Sequence, residues 1–225
     1  MANPTFVQGA VNSDGAGTGV TALGQAFGSN NVQGNTSVVI VTSFDTRANV
    51  VAADLTDTNS NKYKFIASQT GVGGSIYAWV ANNIKAGANT VNMAWGTGGA
   101  DFPDLWIVEA TASLFDAVGL GQAATGGEGG ADGLMAATVI PTLAGDLIVE
   151  TGIVGSHITA AGTGFTQRVP GTGVDANGAF LATKAAAAVG SQVVNMTQNT
   201  SSSWGIIAIA LKAMPYNPLM FNTNQ

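Results

Sequence analysis

His157 is the single histidine of the chain, and there is no cysteine. A Ser-His-Asp triad would have to be built on that one imidazole. It stands in Val154-Gly155-Ser156-His157-Ile158, at a predicted strand end, and no Gly-x-Ser-x-Gly elbow occurs in the chain. One histidine does not make a multi-histidine metal centre. The lack of cysteine removes disulfides, thiolate nucleophiles, Cys-ligated zinc and iron–sulfur clusters. Paired carboxylates are the other route to hydrolysis. Asp101 and Asp104 flank Phe102-Pro103, while Glu109 and Glu150 fall inside predicted strands. A glycosidase cleft also gathers aromatic and polar groups about its acids. Nothing in the sequence marks such a cluster, so these acids are expected at turns and on solvent-facing strand positions.

Asp57-x-Asn59-x-Asn61 has the oxygen spacing of a calcium loop. Lys62 stands where that loop needs glycine, and no acid follows at its twelfth position. A hairpin whose Asp and Asn side chains bond their own backbone fits better. The stretch Gly126–Gly133 has five glycines in eight residues but no Gly-Lys-Ser/Thr ending, so it is no phosphate loop. Tyr77, Trp79, Trp95, Trp106 and Trp204 could form a sugar-stacking platform. Their places on alternating apolar runs make core packing the expectation. No catalytic, metal or cofactor site is therefore expected, and the chain is read as non-enzymatic.

The elements around these residues must be strands. Of 225 residues, 31 are glycine, about twice ordinary usage, and only 9% are charged against about 25% ordinarily. With 3 Glu, 5 Lys, 2 Arg and 11 Leu the chain cannot face an amphipathic helical bundle. Seven scattered cations against 13 acids, for a net charge of −6, make no basic footprint for nucleic acid. Hydrophobic residues at 46% and a mean hydropathy of +0.27 exclude wholesale disorder. Met1-Ala2-Asn3-Pro4-Thr5 has no basic and apolar leader pattern, and no run approaches 18 apolar residues, so no membrane insertion is expected. Two readings follow. One is a virion component made in the host cytoplasm and released by lysis. The other is an extracellular chain whose signal segment has been replaced by Met.

Strand-like runs are predicted at 5–11, 20–27, 37–44, 50–55, 62–67, 75–81, 90–95 and 105–111. A second set falls at 135–140, 146–154, 165–169, 178–183, 192–197 and 204–212. Tyr63 and Phe65 alternate with lysines, and Tyr77 and Trp79 share a face, as in a sheet buried on one side. The four alanines at 185–188 are expected in a turn between strands rather than a helix. The spacing of turn signals predicts an antiparallel β-sandwich, jelly-roll or immunoglobulin-like. The chain also repeats itself. Val91-Asn92-Met93 returns as Val194-Asn195-Met196, and Thr70-Gly71-Val72 as Thr172-Gly173-Val174. An internal duplication is expected, with a first β-unit over 1–118, a Gly-rich loop or linker over 119–133 and a second unit over 134–213. The two units are expected to pack as one compact sandwich. The tail 214–225 is broken by Pro215 and Pro218 and cannot extend a sheet. Its Met214, Tyr216, Leu219, Met220 and Phe221 are the candidate interaction residues, for a neighbouring copy or another capsid or tail protein.

Asp57-Thr58-Asn59-Ser60-Asn61-Lys62-Tyr63, then Ser75-Ile76-Tyr77, then Ile84-Lys85-Ala86-Gly87-Ala88-Asn89-Thr90-Val91, resembles a β-sandwich module of bacteriophage structural proteins and large bacterial secreted proteins. Its signature is roughly D-x-x-G-N-x-Y, S-x-[IV]-Y and I-x-A-G-x-N-T-V. Gly162–Arg168 and Ser201–Ala208 fit as well, so the resemblance spans about 37–212. Two departures stand out: Ser60 replaces the signature glycine, and no Tyr-Ser-Gly follows Glu109. The resemblance implies a structural role without catalytic residues: a virion surface component, as capsid decoration or a tail or fibre element. The alternative is a carbohydrate-binding adhesin module that meets a host-surface glycan.

Overall fold

The computed structural model describes residues 2–14, 19–44, 55–71, 74–95, 99–123, 134–170, 179–200 and 202–213. Every regular element among them is a strand. The first eight are β1 (Phe6–Ser13), β2 (Ala22–Ala26), β3 (Thr36–Ser43), β4 (Leu55–Asp57), β5 (Lys64–Gly71), β6 (Gly74–Ala81), β7 (Thr90–Ala94) and β8 (Asp104–Ala110). The second eight are β9 (Ser113–Ala123), β10 (Leu134–Val139), β11 (Leu147–Val154), β12 (Ile158–Ala161), β13 (Thr166–Pro170), β14 (Phe180–Ala185), β15 (Gln192–Gln198) and β16 (Trp204–Ala213). All pairings are antiparallel. The expected turn at 185–188 is a bend after β14.

Four sheets result, in two matching sets. A five-stranded sheet β1-β8-β3-β6-β5 faces a three-stranded sheet β2-β7-β4. The second set is β13-β14-β11-β16-β9 with β10-β15-β12, the same order shifted by eight strands. Within each half the first strand pairs the eighth, the second the seventh and the third the sixth. Two of the irregularities repeat, while the slip at Ile158–Ala160 in β12 has no counterpart in β4. The register slips beside Phe65 in β5 and beside Gln167 in β13, and again between Phe6 and Gln8 and opposite Ala210–Leu211. Val91 and Met93 in β7 match Val194 and Met196 in β15, all fully buried at the centre of a three-stranded sheet.

The turn before each third strand fixes the alignment of the halves. Gly34 N–H donates to Ile84 O, and Ile84 N–H to Asn35 O. Gly145 and Ala186 repeat this pattern, with Asp146 in place of Asn35. Gly34 and Gly145 have φ of 89° and 87°, a left-handed turn that favours glycine.

The large sheets pack against each other as inner layers, so the sequence expectation of a sheet buried on one side is corrected for the central strands. β3, β6 and β8 are buried along their whole length. Val39, Val41, Tyr77, Trp79, Leu105 and Ile107 face the small sheet of their own half. Val38, Ile40, Ile76, Ala78, Val80, Trp106 and Val108 face the second half. A strand covered on both faces reads as a continuous apolar run. The lysine alternation belongs to the edge strand β5.

The chain passes from β8 to β9 through Thr111 and Ala112 alone. Residues 113–118 thus lie beside β16 in the second large sheet, not with the first unit, and 119–123 continue β9. The Gly-rich stretch falls between β9 and β10, inside the second half; residues 124–133 lie outside the described set, as do 172–174 of the noted repeat.

Candidate functional site

Each candidate acid has a structural surrounding of its own. Glu109 does not face solvent as expected: it is fully buried near the end of β8. Its Oε2 accepts from Gln8 Nε2 at 2.6 Å and Asn31 Nδ2 at 2.8 Å. Its Oε1 accepts from Val32 N–H at 2.8 Å and Asn35 Nδ2 at 2.6 Å. Four donors saturate a carboxylate in a dry site, the arrangement that makes a buried charge tolerable. This group ties the 31–35 loop to β1 and β8.

Glu150 is also fully buried rather than solvent-facing, on the face of β11 turned to β10-β15-β12. Neither of its carboxylate oxygens has a hydrogen-bond partner in the structure. Burial pushes its carboxyl up to about 8, against the pull of Lys184 and of Gly162 N–H. Its neighbours across the sheet are Ala182 and Ala208. In the first half the matching residues are Val39, Trp79 and Ile107. An acid flanked by two alanines thus stands where the first half has an aliphatic side chain under an indole.

A third acidic group sits at the tip of the second half. Asp116, on β9, accepts from Thr142 N–H at 2.5 Å and Thr142 Oγ1 at 2.7 Å, and pairs with Lys212 Nζ at 3.0 Å. Burial works to raise its carboxyl, but Thr142, Lys212 and Asp146 together hold it below the usual range. Burial and the hydrogen bond with Asp116 push Asp146 up to about 6. The two carboxyls are pushed in opposite directions, so they titrate as a pair and Asp146 is the one that takes up a proton first as pH falls.

Asp57 shows why the hairpin motif has its residue types. Its Oδ1 accepts from Asn61 N–H at 2.9 Å. Its Oδ2 accepts from Asn61 Nδ2 at 2.7 Å, Tyr63 OH at 3.1 Å and Asn89 Nδ2 at 2.9 Å. The Asp, Asn and Tyr of the hairpin and the Asn of the following turn form one hydrogen-bonded knot. Burial, with the nearby carboxylate, drives the Tyr63 hydroxyl far above its ordinary range. Ser60 takes φ of 56° where the resembled signature has glycine.

The remaining candidates do not converge. His157 is exposed, and its backbone N–H and carbonyl are both bonded to Asn199. Asp101 accepts from Gly19 N–H, and buried Asp104 from Thr42 Oγ1. Tyr77, Trp79, Trp95, Trp106 and Trp204 are all buried in the cores, as packing residues rather than a platform. Among the described residues no cluster of His, Asp and Glu is arranged to hold a metal ion, and no helix is long and apolar enough to cross a membrane. The tail candidates Met214, Tyr216, Leu219, Met220 and Phe221 lie outside the described residues.

What sequence reasoning missed is an apolar tip. Exposed Ile140, Leu143 and Val189 stand on two loops joined by a bond from Gly190 N–H to Pro141 O, and exposed Val193 begins the outer face beside them. The signal was visible only as scattered aliphatics, Ile140 and Val193 at the ends of predicted strands and Leu143 and Val189 outside them. No protein-family model matches the chain, and no curated protein matches it in sequence.

Proposed function

We propose that this chain is a non-enzymatic structural protein of a bacteriophage particle, exposed on the capsid or part of the tail or fibre. The observation that carries the reading is the repeated strand order. First-with-eighth, second-with-seventh and third-with-sixth pairing is similar to that of a jelly roll, with the difference that the fifth strand pairs the sixth and not the fourth. Jelly rolls recur in viral capsid and lectin domains, a fold-level analogy that raises the prior for both. The chemistry favours the first. Asp101, Asp104 and Glu109 bond to their own surroundings, Glu150 is sealed in the core, and Tyr77 and the four tryptophans that could have formed a sugar platform are buried. A surface with few charges suits close contact between copies, because little charge must be desolvated.

In this reading the partners are further copies and other capsid or tail proteins. Mass spectrometry of purified particles from the source culture tests it. The chain should be recovered in several copies per particle, in constant ratio to the major capsid or tail protein. Its absence from washed particles, with recovery on a glycan resin instead, would favour the adhesin alternative.

A further inference from the structure

We infer that the apolar tip of the second half is the docking surface for residues 214–221 of a second copy of this chain, so that two copies pair tip to tip and exchange these segments. From the proposed function this takes only that the chain assembles.

The surface is contiguous. Ile140 and Leu143 on the β10–β11 loop and Val189 on the β14–β15 loop are brought together by bonds from Gly190 to Pro141 and from Gly145 to Ala186. Val193 pairs Thr138 across the sheet and shares the outer face with Ile140. The four side chains are 59%, 42%, 63% and 59% exposed for Ile140, Leu143, Val189 and Val193, nearly half of the nine large exposed hydrophobics among the described residues. The first half, with the same backbone plan, is an internal control. Its matching positions are Gly28, Val32, Ala86 and Thr90, so three of the four lack a large apolar side chain. The fold itself therefore does not require an apolar surface here, and a grouped patch of this kind marks a contact site.

The occupant follows from where the chain goes next. β16 ends at Ala213, beside this same tip: Lys212 holds Asp116, and Asp116 holds Thr142, between Ile140 and Leu143. The residues that follow are Met214-Pro215-Tyr216-Asn217-Pro218-Leu219-Met220-Phe221, five of them large and apolar. A residue before proline is pushed away from helical and tight-turn geometry toward extended backbone. Met214 and Asn217 both precede proline, which favours a course outward from the tip over an immediate reversal onto the chain's own outer face. With segment and receiving patch at one end of the molecule, a two-fold axis there satisfies both copies at once, and the contact closes without forming a filament.

Sedimentation equilibrium on the purified full chain tests the inference without any particle, so its failure and that of the proposed function are separable. The full chain should form dimers. Chain 1–213 and the variant Ile140→Ser/Val189→Ser should each associate at least tenfold more weakly, with far-ultraviolet circular dichroism unchanged. Val193→Thr, which installs the first-half residue, provides a milder variant and should weaken association in the same direction. A labelled peptide of residues 213–225 should bind chain 1–213 and lose at least tenfold in affinity for chain 1–213 carrying Ile140→Ser/Val189→Ser. A full chain that stays monomeric, or dimers that persist in the truncated or the patch variant, would overturn it.

Discussion

Near the end of β8, Glu109 lies under four donors drawn from β1 and the 31–35 loop. The matching place in the second half is Ala210, and the matching loop supplies Asp146, whose carboxyl is pushed up beside Asp116, which pairs with Lys212. Deeper in the same sandwich, Val39 beside Trp79 is replaced by Glu150 between two alanines, a buried carboxyl with no well-formed hydrogen bond and only the pull of Lys184 and Gly162 N–H. The strand order, two register slips and the left-handed glycine turn are common to both halves. The handling of buried charge is not. Backbone topology is thus set by features both halves share, while each buried carboxyl is accommodated by its own local surroundings. The same half carries the apolar tip.

Breaking the better-satisfied site should have the largest effect. Glu109→Ala leaves four donors facing a dry cavity and should lower the unfolding free energy by about 4–5 kcal/mol, read from urea denaturation. Ala210→Glu, which puts the acid into the half without those donors, should not recreate the site and should itself destabilise.

Next comes Glu150. Its carboxyl binds a proton more tightly in the folded state, so its favourable contribution is complete below about pH 4.5 and lost as pH rises towards 8. Stability should fall by roughly 3 kcal/mol across that window, allowing for relaxation around the site. Glu150→Val, the first-half residue, should flatten the profile. An unchanged slope in this variant would assign the pH dependence to other groups.

The Asp116 and Asp146 pair acts in a lower window. Asp146 loses its stabilising proton as pH rises from about 4 to about 6, while Asp116 loses its advantage as pH falls below its ordinary value. Asp146→Asn should remove the first of these slopes, about 1–2 kcal/mol after screening near the half-exposed Lys212, in thermal melts at pH 4, 5 and 6. Smallest is Ser60→Gly, which relieves a left-handed non-glycine residue and should stabilise by about 0.5 kcal/mol.

Most strands are legible in the sequence because their apolar runs and bounding turn residues are local signals. β9 and β12 are not. Ser113–Ala123 carries Asp116 and two glycines, and Ile158–Ala161 has one large apolar residue, so neither stands out from loop composition. The knot at Asp57 is readable in part, since Asp57, Asn61 and Tyr63 are close in sequence; Asn89 joins from 32 residues away. The burial of Glu109 and Glu150 depends on donors or alanines far along the chain, and on a second sheet pressing from above. Alternation alone cannot tell a strand buried on one face from a central strand covered on both. The apolar tip arises where two loops meet, which no single stretch reveals.

Hydroxyl-radical footprinting of the full chain on purified particles, against chain 1–213 free in solution, tests the account most directly, because it asks which half meets the partner. Protection on particles should concentrate at 140–143 and 189–193, with the first-half counterparts 28–32 and 86–90 still reactive. Equal protection of both sets, or protection confined to the first half, would contradict it.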